Sequence, residues 1–73
     1  MKKIIFSKEQ WEETEEFLRS LPTLSQLSRY LLYKKGLTKA LGESNFHMVE
    51  TILKVLDILE DELTLAGINY DKI

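Results

Sequence analysis

The sequence predicts a mostly α fold: a short N-terminal strand followed by three helices, the third of them long. Three observations predict it. Apolar residues recur at helical spacing in three separate stretches, two of which open on capping-box patterns. The first six residues carry a short apolar run of strand character instead. Pro22, Gly36, Gly42 and Gly67 punctuate the chain between or after the helical stretches. A length of 73 residues allows one domain, spanning 1–73.

Lys2 to Phe6 suits a single strand, with Ile4 and Ile5 β-branched. Alternation places Ile4 and Phe6 on one face and Lys3 and Ile5 on the other. Ser7 then opens a helix, because Ser7 and Gln10 stand at the capping-box spacing. The glutamates that follow lie in and just beyond the first turns, where the helix dipole favours negative charge. Trp11, Thr14, Phe17, Leu18 and Leu21 form its inward face, and Pro22 ends it by disfavouring helical geometry at Leu21.

Thr23 to Gln26 repeats the capping-box spacing. A second helix is expected from about Leu24 to Lys35, with Leu24, Leu27 and Leu31 inward and Tyr30 a further candidate. Gly36 suits its C-cap, and Lys34 and Lys35 suit the negative end of the dipole. Leu37 to Leu41 has room for one more helical turn before Gly42 breaks the chain.

The third helix is expected from about Asn45 to Ala66, with Ser44 as cap and Gly67 as stop. Val49, Leu56 and Leu63 repeat at seven residues, as do Ile52, Leu59 and Ala66, and together they make a coiled-coil-like seam. Met48, Val55, Ile58 and Leu65 widen the apolar surface beyond that stripe. A helix apolar on more than one side must be covered on more than one side. Residues 44–66 are therefore expected to serve oligomerisation or the docking of a protein partner, through Val49, Ile52, Leu56, Leu59 and Leu63. The other solution is a compact monomer with this helix at its centre.

Composition narrows the function class. A chain this short buries only about 60% of its unfolded surface, so a disulfide, a metal or a second subunit is the usual support. There is no cysteine and one histidine, His47, which leaves a homo-oligomer, dimer or tetramer, as the expected source of stability. Met1 to Phe6 does not read as a signal peptide, and no stretch approaches the ~18 apolar residues of a membrane span. A cytoplasmic protein without membrane partners is the expectation. Charge is segregated: +2 over residues 1–6, −4 over 7–16, +5 with no acid at all over 17–42, and −5 over 43–73. Such alternation suits either a dipolar surface that steers a partner or a set of solvated helix faces.

Signals of catalysis are nearly absent, and the chain is expected to be no enzyme, with no cofactor and no metal. It has no Gly-rich phosphate loop, nucleophile elbow or cysteine. His47 shares a helical side with Glu43 and Glu50, a setting that reads as a surface histidine rather than a proton-shuttling pair. Glu60, Asp61 and Glu62 are consecutive on a helix and point in different directions, so they read as a solvated acidic turn, not a cation site. Tyr30 and Tyr33 lie among Arg29, Lys34 and Lys35, where aromatic and cationic side chains can stack on bases, although core or interface placement is the commoner use.

The order strand, capped helix, tight turn, capped helix resembles the ribbon-helix-helix DNA-binding family. Residues Ile4 to Trp11 are similar to its opening pattern, with an alternating apolar strand, a Ser cap, an acidic first turn and an aromatic residue four past the cap. Thr23 through Arg29 to Leu32 is similar to its second-helix opening. The resemblance covers about residues 2–36, and the nearest subgroup is the accessory proteins of plasmid mobilisation and relaxosomes. It implies a homodimer in which two strands, paired partly through Ile4 and Phe6, form a ribbon that enters the major groove of double-stranded DNA. It further implies that Lys3 and Ile5 face base edges and that Lys2, Thr23, Ser25 and Arg29 lie at phosphates. The sequence departs from the family at Ile5, which offers only a methyl contact where polar groups are usual, at Ser28, and in its acidic pI of 5.3.

Two functions are thus expected. One is a dimeric DNA-binding accessory or regulatory protein, its third helix pairing with its mate or docking a protein such as a relaxase. The other is a small acidic helical protein-interaction module, of phage or plasmid type, with no DNA role.

Overall fold

The computed structural model describes residues 7–70, and over these the fold is mostly α. The strand expected at Lys2 to Phe6 lies outside the described residues, and with it Lys2, Lys3, Ile4, Ile5 and Phe6. The described chain forms α1 (Lys8–Ser20), α2 (Thr23–Gly42) and α3 (Phe46–Leu65).

The start and end of α1 follow the local chemistry of its sequence. The Gln10 amide donates to Ser7 Oγ at 3.2 Å, and the Ser7 amide donates to Gln10 Oε1 at 2.8 Å. Leu21, held extended ahead of Pro22, closes the helix.

For α2 the structure corrects three expectations. Its N-cap is Pro22, and no side chain caps it: Gln26 does not reach back toward Thr23. Instead Gln26 is buried and its Nε2 donates at 3.0 Å to the Leu18 carbonyl, as a second donor beside the Leu21 amide at 3.3 Å. Gly36 does not end the helix, which runs on to Gly42. A helical glycine costs about 1 kcal/mol relative to alanine, but continuing past it buries Ala40 and seats Leu37 on the core, which offsets that cost. Leu24 points outward, 79% exposed, whereas Tyr30 is the deeply buried residue of this helix.

The turn between α2 and α3 also departs from expectation at one residue. Ser44, expected to cap α3, carries φ 56°, and the bonds from the Ser44 amide to the Leu41 carbonyl and from the Asn45 amide to the Ala40 carbonyl form a Schellman motif. Asn45 takes the capping role, its Oδ1 accepting from the Met48 amide at 3.2 Å. At the other end of α3 the same motif recurs with Gly67 at φ 77°, the stop expected there.

The core comprises Leu18, Tyr30, Ala40, Ile52, Val55, Leu56, Leu59 and Leu63. Five of these eight belong to α3, which packs chiefly on α2 and also on α1, so it is the central helix of the chain. The heptad seam expected to serve oligomerisation lies on this core. Ile52, Leu56, Leu59 and Leu63 are buried within the single chain, and Val49 is half-buried against the same core. A twenty-residue α2 supplies the cover that a helix ending at Gly36 lacked.

Candidate functional site

The corner where α1 meets α2 gathers the described residues expected to contact DNA. Pro22 fixes the corner and Gln26 ties it to the end of α1, so the orientation of α2's first turn is set by a buried hydrogen bond. Thr23 is exposed in that turn, and Ser25 and Arg29 are half-buried one face round from it. Ser25 and Arg29 line a shallow open groove together with Leu21, Leu24, Ser28 and Leu32. Thr23 does not line it. Arg29 already has a neighbour: its guanidinium carbon sits 5.3 Å from the centroid of the Phe17 ring, a cation–π contact that holds the side chain over the end of α1.

The electrostatics of the corner are one-sided. The first turn of α2 contains no acid, and neither does any residue from 17 to 42. A helix N-terminus carries the positive end of the dipole, so an anion placed there is favoured. On α1 the side chains of Glu9, Glu12, Glu13 and Glu16 are all exposed.

The acidic turn Glu60, Asp61 and Glu62 is not simply solvated. Tyr30 Oη donates to Glu60 Oε2 at 3.1 Å, and the Tyr30 ring meets Tyr70 edge-on at 5.2 Å. Arg19 Nε donates to Glu15 at 2.9 Å and its Nη1 to Asp61 at 2.9 Å, with Glu62 at 3.5 Å. The bond to Asp61 first, and that to Glu15 next, raise the Arg19 pKa further above its ordinary value. These three acids therefore join α3 to both other helices. His47 is half-buried near the start of α3, where its carbonyl accepts from the Thr51 hydroxyl at 3.1 Å. Among the described residues no group of three or more His, Asp or Glu side chains is placed to hold a metal ion, and no helix is long and apolar enough to cross a membrane.

A second open groove runs between α2 and α3, with Tyr30, Lys34, Leu53, Lys54, Asp57 and Glu60 among its walls. Its cations are engaged by rings, Lys34 over Tyr30 at 5.2 Å and Lys54 over Trp11 at 5.2 Å. Of the tyrosines proposed for stacking, Tyr30 is thus a core residue and Tyr33 half-buried.

Phe17 and Leu24, both expected to face inward, point outward at this corner, and Leu32 with them. A signal for the two leucines existed: Leu24, Ser28 and Leu32 recur every four residues on the side opposite Gln26, Tyr30 and Leu37. It becomes readable once Tyr30 is known to face inward. No family model, no curated protein and no solved structure matches this chain.

Proposed function

We propose that this chain is a non-catalytic binding protein that acts as a homodimer on double-stranded DNA, in the manner of the ribbon-helix-helix proteins it resembles. One observation carries the reading: the first turn of α2 has no side-chain cap and no acid, and it lies within residues 17–42, a segment of +5 charge without a single carboxylate. Phosphate is the chemistry such a helix end suits. Thr23 is exposed there, and Ser25 and Arg29 stand within the next two turns. Lys2, Lys3 and Ile5 complete the proposed contact, with Lys3 and Ile5 toward the bases. The protein works in a reducing, cytoplasmic setting in this reading, as its lack of cysteine suits.

The test is binding to duplex DNA across a salt series. Phosphate contacts release counterions, so affinity must fall steeply as salt rises. Thr23→Glu separates binding from folding, because an acid in the first turn stabilises α2 by about 0.3–1 kcal/mol yet repels phosphate. It is expected to raise thermal stability slightly and to weaken DNA binding, and Lys3→Glu is expected to abolish binding. Undiminished binding by both variants would refute the site.

A second reading keeps the binding role and drops the DNA. The groove at the corner exposes Leu24 and Leu32, and Arg29 is already stacked on Phe17, features that suit a protein surface better than a phosphate. Duplex DNA that fails to bind at low salt would favour this adaptor reading.

A further inference from the structure

We propose that the outer face of α2 is a self-association surface, on which two copies of the chain pack antiparallel across a two-fold axis at Ser28. This concerns the pairing that the DNA reading requires and holds equally for a protein adaptor; Ser25 and Arg29 line the same groove, so the dimer contact borders those two proposed phosphate contacts and leaves Thr23 clear. It also moves the interface away from the α3 seam, which the chain's own core occupies.

The argument starts from a ridge. Leu24, Ser28 and Leu32 follow one another at four-residue spacing, so they stand in a row on one side of α2. Leu24 is 79% exposed and Leu32 64%, and Ser28 between them is exposed too. With Leu21, Ser25 and Arg29 they line one shallow groove. Ridges of this spacing interdigitate with a copy of themselves in the commonest class of helix packing. A small residue at the crossing lets the two axes approach closely. With Ser28 against its own symmetry mate, Leu24 of one copy falls beside Leu32 of the other, and the reverse contact repeats by symmetry.

Charge supports a second copy as the occupant and supports this direction. Lys35 and Lys39 are exposed further along α2. A parallel pair would set the lysines of both copies against each other, since no acid occurs between residues 17 and 42. The antiparallel crossing instead carries them past the start of the other copy's α2, toward the end of its acidic α1. Glu12, Glu13 and Glu16 are exposed on that helix. The acid-free helix and the acid-rich helix are thus complementary between two copies of the same chain.

The experiment is sedimentation equilibrium on the full chain without DNA, over a concentration series. The wild-type chain is expected to dimerise. Leu24→Glu and Leu32→Glu, both at exposed positions, are expected to weaken the dimer by about tenfold or more while helicity is retained. Leu53→Glu, exposed on α3, should leave the dimer unchanged. Ser28→Cys offers a second readout because the chain has no other cysteine. It is expected to form a disulfide-linked dimer under mild oxidation, whereas Lys39→Cys, about 16 Å further along the helix, is not. A wild-type chain that stays monomeric overturns the proposal and leaves the groove to a different protein. A dimer indifferent to both glutamates, or one that Ser28→Cys fails to cross-link, also overturns it, while pairing through residues 2–6 and salt-dependent DNA binding would stand untouched.

Discussion

Gln26 Nε2 donates to the carbonyl oxygen of Leu18 at 3.0 Å, and both residues are almost wholly buried. The bond joins two helices across the Pro22 corner and so fixes the angle at which α2 leaves α1. Replacing Gln26 by leucine keeps the volume but leaves the Leu18 carbonyl without that donor in an apolar setting. A loss of about 0.5–1.5 kcal/mol is expected, that of one hydrogen bond, because the carbonyl still accepts from the Leu21 amide. Gln26→Glu should be at least as damaging, since a carboxylate cannot donate. Urea denaturation of both variants checks this, and midpoints equal to wild type would show that the bond does not hold the corner.

Gly36 lies inside α2, and a Cβ built there would meet Ile52 Cδ1 at 3.5 Å, an ordinary contact. Gly36→Ala is therefore expected to stabilise the chain by about 0.5–1 kcal/mol, the helical difference between the two residues. Had Gly36 been a left-handed C-cap, the same change would destabilise. The sign of the shift in thermal midpoint decides between them.

Ser44 and Gly67 occupy the same position in two Schellman motifs, at φ 56° and 77°. Gly67→Ala is expected to cost about 1 kcal/mol, because an L side chain in the left-handed region is strained. Ser44→Gly relieves that strain and gives back part of the gain as backbone entropy, so it should be neutral or stabilising by up to about 1 kcal/mol. Denaturant titrations of the two variants should move in opposite directions.

Leu59 is fully buried on α3, whereas Leu24 on α2 is 79% exposed. Leu59→Ala is expected to cost about 2–5 kcal/mol, as core truncations do, at any protein concentration. Leu24→Ala should fall within about 0.5 kcal/mol where the chain is monomeric. Comparable losses at high dilution would mean that the inward and outward faces have been assigned wrongly.

Tyr30 Oη donates to Glu60 at 3.1 Å beside the edge of Tyr70. Tyr30→Phe keeps the ring in the core and removes one part-buried hydrogen bond, so a loss of about 0.5–1.5 kcal/mol is expected. A double-mutant cycle with Glu60→Gln measures how much of that loss belongs to the pair.

The sequence by itself determined the three helices and those of their ends that depend on neighbours a few residues away. Ser7 caps α1 through Gln10, Pro22 ends it through Leu21, and Gly67 ends α3 by its own conformational freedom. Each is a local contest between backbone amides, carbonyls and one side chain, and the sequence states all the competitors. The candidate site was legible only in part. The acid-free segment and the placing of Thr23, Ser25 and Arg29 near the start of α2 are visible in the order of residues, but the stacking of Arg29 on Phe17 is not. Tertiary structure alone decided that α2 continues through Gly36, that Gln26 and Tyr30 turn inward while Leu24 and Leu32 turn outward, and that the α3 seam is covered within the chain. Those outcomes rest on contacts such as Tyr30 with Glu60 and Arg19 with Asp61, made between residues thirty to forty-two positions apart. Helical periodicity shows which residues share a face. Which face is buried depends on the helix packed against it.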